Sequence, residues 1–230
     1  MAEDQLDTTE PDGVEHIVMK VLIVGEPGVG KTSIVARYVH GMFSGHYKST
    51  IGVDFALKSI QWNSKLRIDL QLWDLAGQER LGTQINIYFR EAMGALCVYD
   101  ASRDETKAQV AAWKQHLNEK VSHGSQHVEI PCIMIANKMD LVVPLAEIAD
   151  NPYSEINAMA DQLGFLGGFP TSMKENKGLD PAMKALITEM LVNYRAVQRA
   201  IDVNKRIEGL ITLDDQEDVQ IQRSRGWCRC

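Results

Sequence analysis

"GEPGVGKT", Gly25 to Thr32, stands between the apolar, β-branched run "HIVMKVLIV" (His16 to Val24) and the amphipathic run "SIVARYVH" (Ser33 to His40). The first run reads as a buried strand and the second as a helix, so the glycine-rich octet is the turn that joins them. A turn of this composition, opening a helix, aims a row of backbone N–H groups at one spot and makes a cradle for phosphate oxygens. The octet fits the pattern G-x-x-x-x-G-K-[ST]. Gly28, Val29, Gly30 and Ser33 then lend backbone to the phosphates, Lys31 neutralises the β and γ oxygens, and the Thr32 hydroxyl is a ligand for Mg²⁺. Alone, the pattern specifies a nucleoside triphosphate and not which one.

Outward from this turn, strand-like runs alternate with helical ones: "GALCVYD", "AQVAAWKQHLNEKV", "IPCIMIANK", "YSEINAMADQLG" and "LDPAMKALITEMLVNY". That alternation predicts βαβ units, an α/β fold with a largely parallel sheet and helices on both faces. "VDFALKSIQW" and "KLRIDLQLW" flank Asn63 and Ser64, a hairpin signal, so one edge strand should run antiparallel. "SHGSQH" reads as a loop. The 230 residues and 45% hydrophobic content suit one α/β domain with an appendage, and a formal charge of −7 argues against a nucleic-acid surface. Residues 1–15, acidic and without an apolar core, read as a disordered extension and not a secretory signal; 16–200 hold the domain, and 201–230 read as a flexible tail. Cys97 and Cys132, inside apolar runs, read as buried hydrophobes, and nothing suggests a disulfide framework.

The base is decided by "NKMD", Asn137 to Asp140, at the end of a second apolar strand. A carboxylate at Asp140 accepts from both the ring N–H and the exocyclic amine of guanine, a pair that adenine does not present. With Asn137 and Lys138 beside it, and Ser172, Met173 and Lys174 of "TSMK" to complete the pocket, the base is predicted to be guanine. In "LWDLAGQER", Leu72 to Arg80, Asp74 ends a strand beside the phosphate loop and suits Mg²⁺. Gly77 lets backbone approach the γ phosphate, and Gln78 can orient the attacking water. Thr50 offers a further hydroxyl to phosphate and metal; Phe43 is a candidate to stack on the base, with a packing role equally open.

Together these residues resemble the Ras superfamily of small GTPases from about Glu15 to Arg195. "IGVDF", "LQLWD", "AGQER", "YFREA" and "LCVYD" resemble the diagnostic segments of Rab proteins, and "RYVHGMFSGHYKSTIGVDFALK" is similar to the Rab thirty-two and thirty-eight branch, associated with lysosome-related organelles and endosomal traffic. The resemblance implies a P-loop GTPase G domain with a six-stranded sheet and five helices, cycling between GTP and GDP with Mg²⁺. It also implies two switch segments, about 43–54 and 74–91, and an effector-facing triad of Phe55, Trp73 and Tyr88. It further implies an exchange factor, an activating protein that supplies the arginine this chain lacks, switch-binding effectors and a prenyl-binding chaperone, with a monomeric G domain.

The chain departs from its relatives at Leu75, where most carry Thr, with the side chain expected to point away from the phosphates. Leu81 and Met173 are further departures, the first bearing on partner choice and the second leaving a backbone contact intact. Pro27, which lacks an N–H, occupies the loop position most sensitive to side-chain bulk near Gln78 and bears on the hydrolysis rate in either direction, the basis of a rival reading as a non-hydrolysing, GTP-bound membrane scaffold. The ending "CRC" resembles Rab termini that carry two geranylgeranyl chains, here on Cys228 and Cys230. Two lipids anchor stably where one does not, and Arg223, Arg225 and Arg229 favour an anionic leaflet. The implied location is the cytoplasmic face of an intracellular membrane, endosomal or lysosome-related, with a cytosolic pool.

Overall fold

The computed structural model describes residues 13–46, 49–77, 86–142 and 153–225, with 204–225 as backbone alone. Gln78, Leu81, Cys228 and Cys230 lie outside the described residues. The chain forms two compact units, Met1–Met190 and Leu191–Cys230.

The first unit is built on a six-stranded sheet of β1 (Glu15–Gly25), β2 (Val53–Asn63), β3 (Leu66–Leu75), β4 (Gly94–Asp100), β7 (Cys132–Asn137) and β8 (Gly167–Pro170). Their order is β2-β3-β1-β4-β7-β8, and all neighbours run parallel except β2 against β3. The predicted edge hairpin is therefore present, with Phe55 opposite Trp73 and Asp54 opposite Asp74. Its turn falls one residue later than the sequence suggests, on Ser64 and Lys65, because Asn63 still belongs to β2 and its side chain accepts the Lys65 N–H at 2.9 Å. "SHGSQH" is not a loop throughout. Ser122–His123 (β5) and Gln126–His127 (β6) pair as a small antiparallel hairpin around Gly124 at φ 60, too short to show a period of two in the sequence.

The α-helices among the described residues are α1 (Lys31–His40), α2 (Asn86–Phe89), α3 (Asp104–Ala108), α4 (Val110–Lys120), α5 (Tyr153–Gln162) and α6 (Leu179–Arg225). α3 and α4 are separated by Gln109 alone and form one interrupted helix. Alternation along β1 sends Ile17, Met19, Val21 and Ile23 to one buried face and Leu22 and Val24 to the other. Leu22 and Val24 join Trp113 and Leu117 of α4 and Ile156 and Ala160 of α5 in one cluster. On the opposite face Gly94 is in register with Val21, and a Cβ there would meet the Met190 sulfur at 2.5 Å and Leu186 at 3.1 Å, so α6 lies close against the sheet at this point. Cys97 and Cys132 are free, buried thiols.

α6 continues well past residue 200. Residues 191–208 contain neither proline nor glycine and are rich in good helix formers, so local propensity carries the helix on after the core-facing positions end. Among the described residues no helix is long and apolar enough to cross a membrane.

Leu75 has no exposed surface and packs in the cluster with Phe89 and Trp113. Its side chain thus serves the sheet–helix core. Leu75→Thr should remove packing and bury a hydroxyl, lowering stability by about 2–4 kcal/mol in urea unfolding.

Candidate nucleotide site

From β1 the chain first builds β2 and β3 on one side and then β4, β7 and β8 on the other, so the sheet's switch point lies at β1. A crevice at the carboxyl ends of the strands is expected there. A cavity of about 390 Å³ occupies this position. Gly28, Gly30, Lys31, Thr32 and Ser33 line it from the phosphate loop, Asn137, Lys138 and Asp140 from the end of β7, and Met173 and Lys174 from the loop after β8. Phe43, Thr50 and Gly77 complete the wall. Segments more than a hundred residues apart in sequence meet in one pocket of a size suited to a small ligand.

The phosphate loop turns on Gly28 (φ 74) and Gly30 (φ 100), left-handed positions that suit glycine. Gly30 is the N-cap of α1, and a Cβ there would strike the Asn137 amide. Lys31 is 6% exposed, and its Nζ donates to the carbonyls of Gly25 at 2.8 Å and Glu26 at 3.0 Å. Burial pushes the ammonium down to about 8, against Asp74 and Glu26, which pull it up. A buried cation held beside a glycine-rich turn is suited to phosphate oxygens.

Beside it, three oxygen donors converge. Thr32 Oγ1 is 2.8 Å from Thr50 Oγ1 and donates to Asp74 Oδ2 at 2.5 Å, and Thr50 Oγ1 donates to the same oxygen at 3.5 Å. Asp74 is 1% exposed, and its Oδ1 has no hydrogen-bond partner among the described residues. Burial raises its pKa, while the Thr32 hydrogen bond and Lys31 draw it down. Two hydroxyls and one carboxylate with an unpaired buried oxygen fit Mg²⁺, which keeps waters and phosphate oxygens in most of its octahedron and takes few protein ligands. Gly77 lies against the phosphate loop: a Cβ on it would come within 2.5 Å of Pro27 N and 2.7 Å of Gly25 O, so only glycine allows this approach.

The base end is a lattice of hydrogen bonds. Asp140 Oδ1 accepts the Ser172 hydroxyl at 2.6 Å, and Lys174 Nζ lies 3.9 Å from Oδ2. Asn137 donates to the Val29 carbonyl at 2.9 Å and accepts from Thr171 at 3.1 Å. Ser172, Val29 and the Asn137 amide therefore act on other protein groups: they hold Asp140 and the phosphate loop in place. Lys138, at φ 62, donates to the Gly28 carbonyl at 2.7 Å and to Asp100 Oδ2 at 2.8 Å. Phe43 is 40% exposed and has the Arg37 guanidinium 5.8 Å from its ring centre.

The sequence did not single out Asp100, Arg103, Thr171 or Arg37. Asp100, at the end of β4, takes Lys138 and Arg103 on one oxygen and both donors of Ser102 on the other; Arg103 also donates to the Pro27 carbonyl at 3.1 Å. Burial pushes Asp100 up, but these hydrogen bonds outweigh it and hold the carboxyl below its usual range. The acid closing "LCVYD" was the one available signal.

Phe55, Trp73 and Tyr88 form a contiguous group outside the cavity. Phe55 meets Trp73 edge-on at 5.2 Å between ring centres, and Tyr88 stands 5.7 Å from Trp73. Phe55 is 45% exposed, and Lys20 Nζ lies 4.4 Å over the Trp73 ring.

The family model for the Ras family matches residues 20–192. The chain is 42% identical over 206 residues to "Ras-related protein Rab-32A" of Dictyostelium discoideum, covering 90% of each. It is 45% identical over 186 residues to "Ras-related protein Rab-32" of Homo sapiens, covering 81% of this chain and 80% of that one. To "Ras-related protein Rab-7L1" of Mus musculus it is 39% identical over 218 residues, covering 95% of this chain and all of the other.

Proposed function

The chain belongs to the Ras family of small GTPases, with Rab proteins as close relatives, and from that membership we propose that it is a lipid-anchored switch on an endosomal or lysosome-related membrane, recruiting effectors while GTP is bound and releasing them after slow hydrolysis. GTP hydrolysis and a part in vesicular traffic come with the family. The observation that carries the nucleotide-dependent switch is the cavity in which the phosphate loop, Asp140 and the Met173–Lys174 loop face one another.

Each residue then has a defined task. The backbone of Gly28 to Ser33 binds the α and β phosphates, and Lys31 places its charge on the β and γ oxygens. Thr32, Thr50 and Asp74 would hold Mg²⁺, which would neutralise charge on the triphosphate. Asp140 selects guanine, and Phe43 covers the edge of the base. Gln78 orients the attacking water, and Gly77 follows the γ phosphate so that the segment after it changes state on hydrolysis. Phe55, Trp73 and Tyr88, beginning next to both switch segments, present an aromatic patch to effectors. The exchange factor, the activating protein with its arginine, and a chaperone for lipids on Cys228 and Cys230 complete the cycle.

Single-turnover hydrolysis by the full chain, beside Gln78→Leu at saturating Mg²⁺, tests the switch. The parent should hydrolyse slowly and the variant at least about tenfold more slowly. Equal inertness with GTP still bound would instead favour a permanently loaded scaffold, with Pro27 as its physical origin.

A further inference from the structure

Arg37 stands behind the wall of the nucleotide cavity and not in it. It lies on α1, six residues past Lys31, and three elements meet on its guanidinium. Nε and Nη2 both donate to the Met173 carbonyl, at 2.9 and 2.7 Å, and Nη2 reaches the Lys174 carbonyl at 3.4 Å. Nη1 donates to the Gly41 carbonyl at 2.8 Å, where Gly41 (φ 68) caps α1. The Phe43 ring lies 5.8 Å away. The planar fork of an arginine can serve three carbonyls in fixed directions at once; a lysine ammonium cannot reproduce that geometry.

The consequence falls on the loop that faces the base. In a trans peptide the carbonyl and the following N–H point in opposite directions. Holding the Met173 carbonyl on the Arg37 side therefore turns the Lys174 N–H away from Arg37. Met173 and Lys174 are both cavity-wall residues, so that opposite side is the ligand's. Met173 is 2% exposed and its neighbours Thr171 and Ser172 are fully buried, which leaves the loop little freedom except at the peptide that Arg37 grips.

Building on the guanine-nucleotide reading, we propose that Arg37 is a positioning residue for the C6 carbonyl of the base. It orients the backbone N–H donors of the Met173–Lys174 loop toward that oxygen and ties the loop to Phe43, whereas Asp140 reads the opposite, N1 and C2, side independently. Base recognition is thus divided between two supports, Arg37 behind the loop and Ser172 behind the carboxylate.

The division can be measured with analogues that change one edge at a time. Affinities of the full chain for GDP, 6-thio-GDP and IDP are compared by competition. 6-Thio-GDP weakens the acceptor at C6 and keeps the C2 amine, whereas IDP keeps the C6 oxygen and lacks the C2 amine. In Arg37→Ala, and in Arg37→Gln, which keeps part of the stem, GDP affinity should fall roughly tenfold, on the scale of one charge-assisted hydrogen bond. The preference for GDP over 6-thio-GDP should shrink toward unity, while the preference for GDP over IDP should match the parent. Equal losses for all three ligands, with both ratios unchanged, would overturn the proposal and leave Arg37 as a tie between α1 and the loop. Loss of both ratios together would also overturn it. If the parent itself fails to prefer GDP over ADP, the guanine reading fails first, which separates the two.

Discussion

Asp140→Asn is expected to weaken GTP binding about 10³-fold and to create an affinity for xanthosine triphosphate that the parent lacks. The Asp140 side chain is 8% exposed, and the Ser172 hydroxyl at 2.6 Å fixes its orientation, so the carboxylate is a rigid double acceptor at the mouth of the base pocket. Guanine offers two donors there; the substitution takes the charge from one hydrogen bond and turns the other into a donor facing a donor, at about 1.5–3 kcal/mol each, which accounts for the expected loss. An asparagine keeps one acceptor and replaces the other by an NH₂ group, which then faces a second donor. Xanthine has a carbonyl in place of the C2 amine and restores the match. Competition against a fluorescent GDP analogue measures both ligands; unchanged preference for GTP would remove Asp140 from base recognition.

Lys31→Met is expected to lower affinity for both GTP and GDP by about 10³-fold or more while leaving the fold intact, because the ammonium contributes to the phosphates and not to the core. The lysine is nearly enclosed, and burial already acts against its charged form. A buried cation removed together with its charge costs the empty protein little. Nucleotide-free Lys31→Met should therefore unfold in urea no earlier than nucleotide-free parent, although two carbonyls, Gly25 and Glu26, lose a donor. Calorimetric titration with GDP and Mg²⁺ reads the binding. Affinity retained within a fewfold of the parent would mean that the loop backbone alone holds the phosphates.

Much of this site was legible in advance, and for one reason: its chemistry is local. The turn of "GEPGVGKT" needs glycine at particular φ values, and Lys31 and Thr32 follow within one helical turn. Asp74 and Asp140 close apolar runs whose strand character was plain, and the topology brings the carboxyl ends of those strands together. Less was legible where local pattern was thin. The pairing of Ser122–His123 with Gln126–His127 spans too few residues to show alternation. The helical continuation to Arg225 follows from propensity after the amphipathic pattern has faded. The hydrogen bonds by which Ser172 and Asn137 engage Asp140, Val29 and Thr171 join separate segments and leave no local pattern either.

Sequence alone determined the glycine-rich turn, the place of Asp140 just after an apolar strand and the α/β order, since each depends on residue type at a fixed short spacing. Only the tertiary structure decided which side chains support that machinery from behind: Arg37 on the Met173 carbonyl, Lys138 on that of Gly28, and Arg103 on that of Pro27. These contacts join positions 136, 110 and 76 residues apart. Their acceptors are backbone carbonyls, which every residue carries alike, so no pattern of side chains can announce them before the chain is folded.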